Sequence, residues 1–507
     1  MTKLISLLSS MARFLTVALC SAMVLVALLM LVATAYSADY TIYIAFGYLF
    51  SLLTIWCAFE QLSKSAGVFA RYEPFALMLF CFFVYFAFIR VLPSLGQNGM
   101  AQYSDAYVAL KAQQLGTIGH LHKTFIEYWC NYEVLLSMAG VLFGGNICVG
   151  QILNALCCVF TLLPMYMMAM EVSGRGMARF STLALGLSPT VIMYSMTYTG
   201  EFLASMFMFY AGYFLIRAWS SRTMTRESID FAAFSGALLG VSHLFKPITI
   251  IFLVAMVFYL GVSVLSLPKA RRVLRAVLVS TLVFVTSLCV KSIGQSVFTS
   301  MASVRNVSTE TFGSHTVFEL VLGLNLLTDG CYSRDLAHRL LRMDVAEQRD
   351  FLWQAIKRDW KRYPALMVRK FVRLHGSPSS KGHCIDVFRI SFNSTEGSRM
   401  KPTNSMPSWV IPLTHSETLV NRILFLLGVG GLAFAVIKKP IAIRGGVFFA
   451  AVVLEFVLIE QLIECHGRYK TALYPYFFMS IPYVRGLSAP WNYVRNKFIG
   501  KYLRKDA

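Results

Sequence analysis

The sequence predicts an all-α polytopic membrane protein, and three observations carry that prediction. Of its 507 residues, 57% are hydrophobic and only 14% are charged, against roughly 45–50% and about 25% in soluble domains. Apolar runs approaching the roughly 20 residues that a helical span needs recur along the chain, and the mean hydropathy is +0.62. Charge is also unevenly placed: 46 Lys and Arg stand against 25 Asp and Glu, a formal charge of +21. In a membrane protein such an excess reads first as topology, because Lys and Arg collect in short cytoplasmic loops. Nucleic acid is not indicated as a partner, since no basic run is interleaved with stacking aromatics on a soluble domain.

Three N-terminal spans are expected over residues 14–35, 41–59 and 74–92. Lys3 and Arg13 precede the first, and Lys64 and Arg71 separate the second from the third, which puts the N-terminus inside. A signal peptide is the alternative for the first run, whose apolar stretch exceeds the usual h-region of about 7–15 residues. Residues 104–115, with Tyr107, Leu110 and Leu115 as apolar members, and residues 128–143, carrying Asn131 and Glu133, are read as helices lying along the outer interface. Were the second to cross the membrane, every later loop would invert.

Charge decides against that inversion. Spans over 147–170, 180–194, 202–216, 231–244, 248–267 and 276–290 place Arg175, Arg179, Arg217, Arg222, Arg226, Lys269, Arg271, Arg272 and Arg275 inside, and leave the outside turns almost free of base except Lys246. Three last spans, 423–437, 446–463 and 471–484, leave Lys438, Lys439, Arg444 and a basic tail inside. About twelve spans result. The expected organisation is 1–92, three N-terminal spans; 93–146, a first external loop with interfacial helices; 147–290, a membrane core; 291–420, a large external region; and 421–507, three final spans and a cytosolic tail. Within the external region Phe351, Leu352, Ile356 and Trp360 follow helical spacing, with Lys357, Arg358, Lys361 and Arg362 between them. That helix is expected on the membrane surface, its bases over lipid headgroups. Eleven cysteines, mostly within apolar runs, show no zinc-site spacing.

Three polar stretches then fall on one side of the membrane: residues 103–107, 243–247 and 464–470. Asp105 is placed to take a proton from an attacking hydroxyl; the plainer reading is a solvated acid or a helix-start residue. Lys246 sits in a very short turn where the charge bias disfavours a cation, so an anion such as a phosphate is its expected partner, against a lysine snorkelling to headgroups. Glu464, His466, Arg468 and Lys470 share the next such turn, where Arg suits bidentate phosphate binding and Lys acts as a point charge; interfacial anchoring beside Tyr469 is the alternative. Glu201 opens a span from the same side, as a cavity acid or as a helix-start acid. His243 reads as a packed turn residue, and Lys123 and Glu127 as surface charges that would otherwise line the same mouth.

At these residues the chain resembles the GT-C membrane glycosyltransferases, in the branch of the protein O-mannosyltransferases and aminoarabinose transferases. Asp105 with Tyr107, Ala109 and Ala112 looks like the family's first external loop, and Asn131-Tyr132-Glu133 opens a segment similar to its second interfacial helix. Tyr194 to Glu201, Gly240 to Pro247, Gly323-Leu324-Asn325 with Asp329-Gly330, and Glu464 to Tyr469 follow in the family's order. The resemblance implies an inverting transfer of a sugar from a polyprenyl-phosphate donor to a glycan, protein or lipid acceptor. It implies an extracytoplasmic active site in a bacterial cytoplasmic membrane, Asp105 as base, and Lys246, Arg468 and Lys470 on the donor phosphate. Ala106 stands where many members carry a second acid, so no obligatory metal or other cofactor is expected, a divalent ion being the alternative. A lipid-linked glycan polymerase or ligase, and a lipid flippase or transporter, are the competing functions.

Overall fold

The computed structural model describes residues 42–65, 67–91, 127–143, 148–196, 200–220, 224–246, 248–266, 270–304, 315–330, 333–340, 342–375, 410–438, 445–462 and 474–487, with scattered helical positions between 11 and 28. Among the described residues every regular element is helical. In chain order these are α1 (Ile42–Ser65), α2 (Gly67–Val91), α3 (Glu127–Phe143), α4 (Cys148–Ser173), α5 (Arg175–Gly186), α6 (Pro189–Ser195), α7 (Glu201–Ser220), α8 (Arg226–Phe245), α9 (Thr249–Ser266) and α10 (Ala270–Val304). A group of shorter helices follows: α11 (His315–Gly323), α12 (Arg334–Leu340), α13 (Val345–Asp359) and, after a 3-10 turn at Trp360–Arg362, α14 (Tyr363–His375). The chain then returns to the bundle through α15 (Val410–Lys438), α16 (Gly446–Leu462), α17 (Tyr474–Phe478) and a 3-10 turn at Ile481–Leu487. Seven described helices (α1, α2, α4, α7, α8, α10 and α15) are long and apolar enough to cross a membrane. The chain is thus a multi-pass helical membrane protein.

Two of the expected spans are interrupted. The apolar run 180–194 is divided between α5 and α6, because Ser188 leaves helical geometry (φ −65°, ψ 113°) and its hydroxyl accepts a bond from the Val191 N–H. Pro189 at the first position of α6 suits a helix start and biases Ser188 away from helix. The run 471–484 likewise divides into α17 and the 3-10 turn, with Pro475 and Pro482 supplying no backbone donors. By contrast α10 continues past residue 290 to Val304; its 35 residues make a rod of about 50 Å.

Small residues bring helices to backbone contact. A Cβ at Gly236 of α8 would meet the Val283 carbonyl oxygen of α10 at 2.4 Å, and one at Gly240 would meet that of Ser287 at 2.6 Å. A Cβ at Gly428 or Gly431 of α15 would likewise collide with the Ser480 or Tyr483 carbonyl. Such close approach is how helices associate where lipid supplies no hydrophobic drive.

At the end of the bundle assigned to the cytosol by its charge, Arg179 of α5 is 1% exposed. Its Nε donates to Glu73 Oε1 of α2 at 2.6 Å, and its Nη1 to Glu60 of α1. Trp56 of α1 donates to the Gly176 carbonyl at 2.8 Å, so α1 and α5 are also tied by an indole. Breaking one partner of a buried ion pair strands the other. Arg179→Met is therefore expected to cost about 3–5 kcal/mol, read as a lower midpoint of unfolding in detergent, and the added change Glu73→Gln to recover much of it. An unchanged midpoint in the single variant would show that the pair carries no weight.

Candidate functional site

The opposite end of the bundle is organised around Glu201 and Lys246. Glu201 is the first residue of α7, where a carboxylate is favoured by the helix dipole. Lys246 caps α8 in extended geometry (φ −159°, ψ 130°), and its N–H closes the last turn on the Ser242 carbonyl at 3.1 Å. The Pro that follows in sequence biases Lys246 toward that extended shape. Lys246 Nζ donates to Glu201 Oε1 at 3.1 Å, and both side chains are buried.

Neighbouring elements fix this pair. Gly200 lets the start of α7 reach the end of α8: a Cβ there would stand 3.2 Å from the Phe245 carbonyl oxygen and 3.5 Å from the Tyr132 ring. Ser242 Oγ donates to the Ala204 carbonyl at 2.8 Å, lacing α8 to α7. From α3, buried Asn131 donates to the Leu244 carbonyl at 2.8 Å and to Gln295 Oε1 of α10 at 3.0 Å. Tyr132 Oη donates to Asn154 Oδ1 of α4 at 3.3 Å, and Gln151 Nε2 to the Met196 carbonyl at 3.3 Å. His243 Nδ1 pairs with Thr249 Oγ1, joining the end of α8 to the start of α9, and Lys291 of α10 lies within electrostatic reach of it. His243 is thus engaged in the turn.

A second anchor joins the α11–α14 group to the bundle. Gly445, just before α16, packs against Ile216 near the end of α7, so α16 runs antiparallel to α7 and ends on the Lys246 side. Lys370 of α14 is 0% exposed, and its ammonium donates to the Gly323 carbonyl at 2.9 Å and the Gln461 carbonyl at 2.8 Å. These oxygens belong to the last turns of α11 and α16, where carbonyls lack helical partners and the dipole favours a cation. The turn after α11 closes over the lysine stem with Asp329 (φ 53°) and Gly330 (φ 73°) left-handed. A Cβ at Gly330 would lie 2.5 Å from the Gly323 oxygen and 2.8 Å from Lys370 Cδ, so only glycine fits. Arg369 Nε donates to Asp329 Oδ1 at 2.7 Å and braces the same turn.

Asp105, Lys123, Glu464, His466, Arg468 and Lys470 lie outside the described residues, as does the side chain of Glu127, whose backbone opens α3. Of the sequence candidates the structure therefore brings together Glu201 and Lys246, while His243, one turn earlier on α8, pairs with Thr249. Asn131, Gln151, Gln295, Lys291 and Lys370 do not stand out as site residues in the sequence, although a polar side chain inside an apolar helix is a signal for the first three. Sequence reading also passes over Glu417, a buried carboxylate that accepts from Ser188 and Thr190, each at 2.5 Å, and from Asn421. Among the described residues no three or more His, Cys, Asp and Glu side chains gather as metal ligands would.

Residues 132–291 match the family model described as dolichyl-phosphate-mannose-protein mannosyltransferase. That segment runs from α3 to α10 and contains Tyr132, Glu201, His243 and Lys246. Over this stretch the resemblance to the GT-C membrane glycosyltransferases holds. No curated protein matches the chain. Among solved structures, the chain is similar to the oligosaccharyltransferase AglB of Archaeoglobus fulgidus in complex with an inhibitory peptide and a dolichol-phosphate, at 12% identity over 87% of this chain and 52% of that one, with a TM-score of 0.42. It is also similar to ArnT of Cupriavidus metallidurans bound to undecaprenyl phosphate, at 16% identity over 83% of this chain and 77% of that one, with a TM-score of 0.33. The chain spans about half the length of the archaeal oligosaccharyltransferase.

Replacing Asn131 with Leu removes the donor from two buried acceptors. The expected cost is about 1–3 kcal/mol, together with faster amide exchange across residues 242–246 as the end of α8 loosens. Unchanged exchange there would mean that α3 does not hold the Lys246 turn.

Proposed function

We propose that this protein is an integral-membrane glycosyltransferase, which moves a sugar from a polyprenyl-phosphate donor to an acceptor on the non-cytosolic face with inversion at the anomeric carbon. The observation that carries this reading is the family-model match across residues 132–291, the segment that holds the buried Glu201–Lys246 pair. A lysine at a bundle end suits the charge of a phosphate-bearing leaving group.

In this reading the Asp105 carboxylate takes the proton of the acceptor hydroxyl as its oxygen bonds to the anomeric carbon. The bond from that carbon to the phosphate oxygen breaks on the opposite face, and the electron pair leaves with the polyprenyl phosphate. Lys246, Arg468 and Lys470 offset the charge that grows on the departing phosphate. Glu201 holds the Lys246 ammonium at the cavity wall and is a positioning residue. Glu464, His466, His243, Lys123 and Glu127 line the mouth, with the 93–146 loop and the 291–420 region over it. Charge on the phosphate is met by side chains, so the reading requires no divalent ion. The acceptor is a glycan, a protein or a lipid, and the setting is a bacterial cytoplasmic membrane.

The measurement is sugar transfer in proteoliposomes from a panel of polyprenyl-phosphate hexoses and pentoses, the active donor being identified as the lipid that accumulates in cells lacking the protein. Asp105→Asn is expected to lower turnover about 10²–10⁴-fold while donor binding persists. Lys246→Met is expected to weaken donor binding as well as turnover, with Lys246→Arg recovering part of both. Full transfer by Asp105→Asn would overturn the base assignment. Accumulation of a diphosphate-linked oligosaccharide instead of a monophosphate-linked sugar would favour a polymerase or ligase.

A further inference from the structure

The helical group α11–α14 carries a surface that the transfer reaction leaves unused. One side of it is a small core: Val317, Val321 and Leu322 of α11 pack with Ala337 and Leu340 of α12, and Phe351 and Leu352 of α13 pack against them. Among the described residues the other side is uncovered. Trp353 and Trp360 are 57% and 61% exposed, and seven residues, about two turns, separate them, so they share a face. Lys357 Nζ stands 5.2 Å from the centre of the Trp353 ring and Lys361 Nζ 5.8 Å from that of Trp360. Arg358 and Arg362 are exposed beside them and both pair with Asp359, at 2.8 and 3.7 Å; Asp359 is the single acid among residues 357–362, which leaves the strip net basic. α14 extends the strip with exposed Pro364, Val368 and Val372 at four-residue spacing, while Tyr363, Leu366 and Lys370 turn inward.

The position of this strip is set by the lysine anchor. Lys370 bonds to the last turn of α16, an apolar helix largely buried within the bundle, so α14 lies against the end of the bundle. Counted at 1.5 Å per residue, Val368 and Val372 stand within about 3 Å of the Lys370 level along the helix, and Trp360 within about 15 Å. The polar zone of one leaflet is only about 5–8 Å deep, so docking requires the strip to run along the leaflet surface.

We propose that this face docks on the bilayer leaflet beside it, with the four cations against anionic headgroups and the two indoles and the valine strip at the upper acyl chains. Indole rings favour the interface. Basic side chains are drawn to anionic lipid. An amphipathic helix of this make-up lies in the interface plane. A soluble glycan would find rings to stack on, but it would leave Val368 and Val372 in water, so lipid is the occupant that covers the whole strip. The inference does not rest on the assignment of the reaction.

The test uses the full chain in nanodiscs and tryptophan emission. Because the chain holds seven tryptophans, the signal of interest is the difference between wild type and the W353F/W360F variant, whose secondary structure and unfolding midpoint are checked first. With lipids brominated near the glycerol, the wild type is expected to show a quenched component that the variant lacks. Replacing anionic by zwitterionic lipid is expected to shrink that component about twofold or more, and Lys357→Gln, Arg358→Gln, Lys361→Gln and Arg362→Gln together to remove its dependence on lipid charge. If aqueous acrylamide quenches these two tryptophans freely while brominated lipid does not, the proposal is overturned. It is equally overturned if a soluble anionic polysaccharide shields them and lipid does not.

Discussion

A charge taken out of water has to meet its counter-charge, and that constraint shapes both ends of this bundle. Arg179 lies between Glu60 and Glu73 at one end, and Lys246 lies against Glu201 at the other. The two arrangements differ in what surrounds them. Arg179 joins three helices through two carboxylates and is a fastening. Lys246 stands on an extended residue at a helix end, where the backbone has already left the regular hydrogen-bond ladder. Irregular backbone at a buried helix end is tolerated where protein covers it or a cavity adjoins it. The polar side chains that converge on that end, from Asn131 to Gln295, supply the cover.

Lys370 applies the same constraint to the group of helices outside the bundle. Its ammonium reaches carbonyl oxygens at two different helix ends. One charge thereby joins α11, α14 and α16, and the left-handed Asp329–Gly330 turn lets the chain pass close over its stem. The geometry links a region read from sequence as external to a helix of the bundle, within a few residues of the stretch 464–470.

Much of this is legible in the sequence because it depends on local pattern. The apolar runs mark α1, α2, α4, α7, α8, α10 and α15, and the spacing of Phe351, Leu352, Ile356 and Trp360 marks α13, whose start is further fixed by a reciprocal Asp344–Glu347 capping box. Lys246 and Glu201 are each conspicuous, but their pairing is not, since 45 residues separate them and nothing local encodes the contact. On sequence alone Lys246 awaits an anion from outside the chain; the structure supplies one from within it. The break at Ser188 is written in a Ser-Pro pair, yet the apolar residues around it form a continuous run. Buried Lys370 is invisible for a different reason: an amphipathic helix with several bases does not reveal which base turns inward.

The seam between α8 and α10 sets a limit on movement. With glycines at 236 and 240 pressed on the opposing main chain, these two rods have no side-chain layer between them for an intruding hydrocarbon to displace. Parting them would expose bare peptide to oil along about one turn. They form a single strut, and any hydrocarbon tail that enters the bundle has to thread through some other gap in the wall.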